Sequence, residues 1–186
     1  MAPPRPAIPH SDAVRAGLLI AGCAGVAALV AATFTTVIRI TVGATTRLAA
    51  LDTHLSGWDR HGPALLVIAA FAFVMLAGAV RRGARPAVVA VIVCGAAALL
   101  VALAFDAPRL DDTGQVGRLY SDASAGPGVG FWLELAGGAL LVGAGGGLLW
   151  LASTARRSDA VDGASRRRTA RRGGSAAGAG AATRDA

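Results

Sequence analysis

The sequence predicts an all-α membrane protein: an antiparallel bundle of four transmembrane helices, with two extracytoplasmic loops and a disordered, basic C-terminal tail. Three observations lead there. The 186-residue chain is 54% hydrophobic and only 16% charged, against about a quarter charged in an average soluble domain. Its apolar residues fall into four runs, at about 16–38, 63–80, 87–105 and 130–152, each near or above the ~18 residues of a membrane-crossing helix. Its arginines cluster in the segments that such a bundle would leave on one side.

Residues 1–13 form a proline-rich N-terminus, MAPPRPAIPHSDA, with little to bury. The bundle is assigned to 14–152. In the first run, Ile20-Ala21-Gly22-Cys23 resembles a lipobox, but the chain stays apolar beyond the cysteine, so 16–38 is taken as one uncleaved helix. A polar stretch of about 24 residues, 39–62, follows. Pro63 opens the second run and Pro86 the third, where the missing N–H is not needed. The link RRGARP between them is so short that they form a helical hairpin. A second polar stretch, 106–129, leads to the fourth helix, and the tail occupies 153–186. No lipid-facing backbone group can go unpaired in hydrocarbon, which makes these segments helices.

Orientation follows from charge. Arg5 and Arg15, the hairpin's Arg81, Arg82 and Arg85, and the tail's arginines all fall on one side. The two long connections hold only Arg39, Arg47, Arg60, Arg109 and Arg118, offset by aspartates at 52, 59, 106, 111, 112 and 122. The positive-inside rule places both termini in the cytoplasm and both long connections outside a bacterial cytoplasmic membrane. Trp58 and Trp132 then mark the outer boundary and Trp150 the inner one. Arg156, Arg157, Arg166, Arg167, Arg168, Arg171 and Arg172 form a basic strip that suits anionic lipid, at about 1 kcal/mol for each residue near the surface. That placement, more than the net charge of +7, sets the partner: the bilayer, not nucleic acid.

Small residues recur along the predicted helices: Ala21, Gly25, Ala28 and Ala32 in the first, Ala98 and Ala102 in the third, Gly143 and Gly147 in the fourth. They let backbones approach closely and predict a compact bundle, with a homo-oligomer seam as the rival use. Cys23 and Cys94 lie inside apolar runs at similar depth and form no ligand motif. They are expected to pack as small side chains.

Few residues carry chemistry. The stretch LDTHLSGWDRHGP, 51–63, contains Asp52, His54, Asp59 and His61, the candidate metal ligands. Set against that, Leu48, Leu51, Leu55 and Trp58 recur at helical spacing, which predicts a short surface helix ending at Gly57 with both histidines as ordinary polar residues. Asp112-Thr113-Gly114 and the glycine-rich 126–130 are taken as turns. Glu134 is the one acid inside an apolar run. Two readings stand side by side: Glu134 pairs with Arg39 at the end of the first run, with Arg60 or His61 as substitutes, since a guanidinium can hold a carboxylate with two hydrogen bonds, or its carboxylate reaches the outer water.

The arrangement of LDTHLSGWDRHGPALL, the RRGARP hinge, LDDTGQVGRLYSDASAGPGVGFWLELAGG and an arginine-rich tail resembles small, uncharacterised four-pass integral membrane proteins of actinobacteria. The resemblance implies topology and transfers no catalytic or cofactor-binding residue. Claudin-type proteins are similar in layout only, and the first long connection here lacks their tryptophan–cysteine–cysteine pattern. The expected function is a non-enzymatic accessory or interaction subunit. A transport component and an extracytoplasmic metal-dependent enzyme are the alternatives. The first would need ionisable groups near the midplane, where this sequence has none, and the second rests on the 51–63 stretch.

Overall fold

The computed structural model describes the backbone of residues 9–42, 54–82, 84–113, 118 and 123–179. Four of its helices are long and apolar enough to cross a membrane, over Asp12–Phe34, Ala64–Arg81, Arg85–Arg109 and Val129–Thr154. The chain divides into two units, residues 1–149 and 150–186. The first holds the packed bundle. In the second, helical backbone runs to Ala179.

Helix α1 (Pro9–Phe34) stops four residues before the end of its apolar run. Thr35, Thr36, Val37, Ile38, Ile40, Thr41 and Val42 are β-branched, and such side chains favour a pleated strand over a helix. They form β1 (Thr36–Val42). Strand β2 (His54–Ser56) and the one-turn helix α2 (Gly57–His61) follow, and then α3 (Ala64–Arg82). Helix α4 (Arg85–Leu100) begins with Pro86 in its first turn. It widens into a π-helical segment, Val101–Asp106, and closes with a 3-10 turn, Ala107–Arg109. Strand β3 (Ala123–Pro127) leads into α5 (Val129–Ala179). The sequence ends the last helix at 152. The backbone continues because 153–179 contains no proline and is rich in alanine and arginine, which are strong helix formers.

The four long helices form a closed ring in the order α1, α3, α4, α5. Helix α1 packs on α3 and α3 on α4. Glycines make the other two contacts. A Cβ added to Gly25 would stand 2.9 Å from the Gly137 carbonyl oxygen, and one added to Gly95 would stand 2.7 Å from that of Gly138. Backbone therefore meets backbone on both sides of α5. The central core is Leu29, Ala69, Ala72, Leu76, Val91 and Leu141, with Cys94 and Ala98 beside them. Lipid tails are as apolar as these side chains, so close van der Waals fit holds such helices together. Two sequence expectations change here. Gly147 packs closely as expected, against Leu18, but Gly143 has no described atom near its Cβ position, and Gly145 makes the second contact, with Ile92. Cys94 is buried, but Cys23 is exposed on the outer face of its helix.

The end of the bundle away from the α3–α4 hairpin carries a cap that sequence periodicity did not predict. It is a three-stranded antiparallel sheet in the order β2-β1-β3. Ile38 lies opposite Leu55 on one side and Pro127 on the other, and Arg39 opposite His54 and Gly126. The sheet thus ties the two long connections together. Val37, Ile38 and Ile40 turn down onto Ala102 and Phe131 in a second small core. The expected surface helix across 45–57 is replaced, where described, by β2: Leu55 is held in the ladder with Ile38. Gly57 starts a helix and does not end one. A Cβ there would stand 2.6 Å from the Ala32 carbonyl oxygen, so only glycine lets α2 lie against the end of α1.

Candidate functional site

Helix α2 is a five-residue element that needs its caps. The Ser56 hydroxyl accepts a hydrogen bond from the Asp59 N–H at 3.2 Å, and the Ser56 N–H donates to the Asp59 carboxylate at 3.2 Å. This reciprocal capping box satisfies two of the helix's free donors. The Ser56 hydroxyl also donates to Asp59 Oδ2 at 2.6 Å. These bonds, the side-chain one first, hold the Asp59 carboxyl below its ordinary value of 3.8. At the other end Gly62, with φ +55°, donates its N–H to the Trp58 carbonyl at 2.8 Å. Positive φ suits glycine, which has no Cβ. The Trp58 ring stacks on Phe34, with centroids 6.4 Å apart, pinning α2 to α1.

The pinned turn directs its last two side chains at the end of α4. Arg60 donates through Nε to Asp106 Oδ1, and through Nη2 to the Phe105 carbonyl at 3.2 Å. His61 Nε2 lies 2.8 Å from Asp106 Oδ2. Asp106 thus engages both side chains of the turn, one on each oxygen. It is the final residue of the π-helical segment, where each turn of helix takes an extra residue. Such segments recur at functional sites. Here the wider turn sets a carboxylate at 0% exposure facing α2, whose Arg60 and His61 side chains are 13% exposed.

Glu134 completes the group from α5. It too is 0% exposed. One ligand atom from each of His61, Asp106 and Glu134 lies within 4.8 Å of the others, so among the described residues these three are the set that could hold a metal. Both Glu134 carboxyl oxygens are buried without a hydrogen-bond partner among the described residues. A buried carboxylate with no donor is costly, and this one stands beside a second.

The sequence candidates separate accordingly. His61 is in the group. Asp59 is exposed and occupied with capping Ser56. His54 contributes backbone to β2, and Asp52 lies outside the described residues. The expected Arg39–Glu134 pair does not form: Arg39 is exposed on β1, while the Glu134 oxygens accept no hydrogen bond among the described residues; at 0% exposure Glu134 does not reach the surface of the bundle either. The β-strand that replaces the end of the first helix carries Arg39 away into the cap. Of the substitutes, Arg60 and His61 are both near, but each bonds to Asp106. Sequence reasoning placed Asp106 among ordinary loop aspartates. Its available signal was position: Asp106 directly follows an apolar run, Glu134 sits just inside another, and Arg60-His61 is separated from Pro63 by Gly62 alone. All four therefore lie at the same end of the helices. Arg156 and Arg157 are exposed, and the side chains of Arg166, Arg167, Arg168, Arg171 and Arg172 lie outside the described residues. No family model, no curated protein and no solved structure matches the chain.

Proposed function

We propose that this multi-pass helical membrane protein is a non-enzymatic accessory or interaction subunit of a bacterial cytoplasmic membrane. Both termini lie inside, and the sheet-covered end forms the outward contact surface. The carrying observation is how the bundle is closed. At its centre α5 meets α1 and α4 backbone to backbone through Gly25, Gly137, Gly95 and Gly138. The stretches 16–38, 62–80, 86–105 and 135–155 contain no Asp, Glu, Lys, Arg or His. Transport routes through membranes are marked by such groups near the midplane. A ring closed backbone to backbone at α5, with an apolar central core, favours a static scaffold over a transport component.

The cap supports the same reading. Strands from both long connections share one sheet, and the hydrogen bonds of Arg60 and His61 to Asp106 fasten α2 to the extension of α4. A pre-ordered surface loses less entropy on binding than a loose loop. Arg156 and Arg157 stand exposed just past the fourth apolar segment, and anionic lipid is the partner this reading gives them.

Three measurements test the reading. With Cys23 and Cys94 replaced by serine, Asp111→Cys should label with a membrane-impermeant reagent in intact cells, and Arg81→Cys only after lysis. The reverse pattern would invert the topology. A photoreactive residue at Arg39 or Trp58 should crosslink in native membranes to one discrete partner. Purified protein in liposomes should leave ion leakage at the protein-free level. Leakage that rises with protein, and no crosslink at either position, would favour transport and sink the subunit reading.

A further inference from the structure

We propose that His61, Asp106 and Glu134 form a binding site for a divalent transition-metal ion of the zinc class, beneath the sheet and at the rim of the bundle. The inference does not depend on the accessory-subunit reading.

Three observations carry it. The first is donor type. One imidazole nitrogen and two carboxylates make a mixed nitrogen–oxygen set, which suits zinc better than a hard ion bound through oxygen alone. The second is geometry. The three ligand atoms lie within 4.8 Å of one another. Tetrahedral ligands at zinc bond lengths of about 2.0–2.2 Å stand roughly 3.4 Å apart, so the side chains close on an ion by shifts of about an ångström. His61 Nε2 and Asp106 Oδ2, 2.8 Å apart, are already near the spacing of adjacent ligands on one ion. The third is the state of Glu134. Arg60 and His61 both direct their polar atoms to Asp106, which leaves the Glu134 oxygens buried beside a second carboxyl, with no nitrogen or hydroxyl donor among the described residues. A cation bridging the two carboxylates supplies what Glu134 lacks.

The surroundings fit an ion as well. Arg60 holds Asp106 through Oδ1, leaving Oδ2 for the ion. Outer contacts of this kind orient metal ligands and tune their affinity. His61 reaches the surface, which gives the ion a way in and leaves a position for water as a fourth ligand. The ligands come from α2, α4's extension and α5, so the ion would lock three elements together. Metal binding of this kind adds to folding stability.

The test uses the full chain in detergent and zinc chloride as the probe, with magnesium chloride as competitor. Equilibrium dialysis should give a single zinc per chain, not displaced by magnesium. Glu134→Gln and His61→Gln should each weaken it by more than about tenfold, and Arg39→Gln should leave it unchanged. A melting curve separates ligand loss from misfolding. Zinc should raise the wild-type midpoint and leave that of Glu134→Gln unmoved, although the variant itself melts no lower than zinc-free wild type. Folded wild type that takes up no zinc overturns the proposal and leaves the two carboxylates sharing a proton. Zinc binding that survives both substitutions overturns it too, because the ligands must then lie elsewhere.

Discussion

Substitution of Gly95 by alanine tests how tightly the bundle is closed. The new Cβ would stand 2.7 Å from the Gly138 carbonyl oxygen, 2.8 Å from the Val142 nitrogen and 2.9 Å from Leu141 Cβ. Two of these are backbone atoms of α5, which cannot swing aside as a long side chain can. Accommodation therefore moves the whole helix. Overfilling a packed site costs about 1–3 kcal/mol, and rigid neighbours place this case near the upper end. Alanine's better helix propensity, about 1 kcal/mol over glycine, gives little relief. A spanning helix stays helical after its neighbours separate, since lipid leaves its backbone no other partner. Gly143→Ala is the control, because nothing lies within 4 Å of its Cβ position. Reversible unfolding in mixed micelles should show a loss of about 2–3 kcal/mol for Gly95→Ala and a change within about 0.5 kcal/mol for Gly143→Ala. Equal effects from the two substitutions would refute the argument, whichever their size.

Asp106→Asn should be costly, at about 3 kcal/mol, because it leaves the Arg60 guanidinium half of its ion pair in a largely buried place. In a double-mutant cycle with Arg60→Gln, the combined loss in the same unfolding assay should fall well short of the sum. Arg39→Gln should change stability by less than about 0.5 kcal/mol, as expected of an exposed side chain; a loss above 1 kcal/mol would restore the pair that the sequence suggested. The Asp59 carboxyl is held below its ordinary value by Ser56, so its capping contribution is full above that ordinary value and fades as pH falls through the lowered one. Carboxyl-carbon NMR should show Ser56→Ala returning the Asp59 titration upward, and an unmoved titration would mean that the cap does not set it.

Four apolar runs separated by polar stretches already specify four membrane-crossing helices, because segment length and hydropathy alone decide what a bilayer accepts. The hairpin at RRGARP was equally legible, since so short a link leaves α3 and α4 no other arrangement. Glu134 stood out because an acid inside an apolar run is rare. Local pattern misled at the capped end. Leu48, Leu51, Leu55 and Trp58 have helical spacing, yet Leu55 lies in a strand, where its pairing with Ile38 across the ladder outweighs local periodicity. The β-branched run 35–42 was a strand signal hidden in the tail of an apolar helix.

What the sequence by itself determined is therefore the solvent of each segment: which residues sit in lipid, which in water, and where proline starts a helix. Those properties are local, and each is settled by a residue and its near neighbours along the chain. Only the tertiary structure decided which helices touch, why Gly25, Gly95, Gly137 and Gly138 are glycine while Gly143 merely happens to be, and that Asp106 belongs with Arg60, His61 and Glu134. The gap of about 45 residues between Arg60 and His61 of α2 and Asp106 has no trace in any local pattern. It closes because α3 and α4 fold back as a hairpin and the π-helical turn at the end of α4 sets its last carboxylate facing α2, and those are properties of packing.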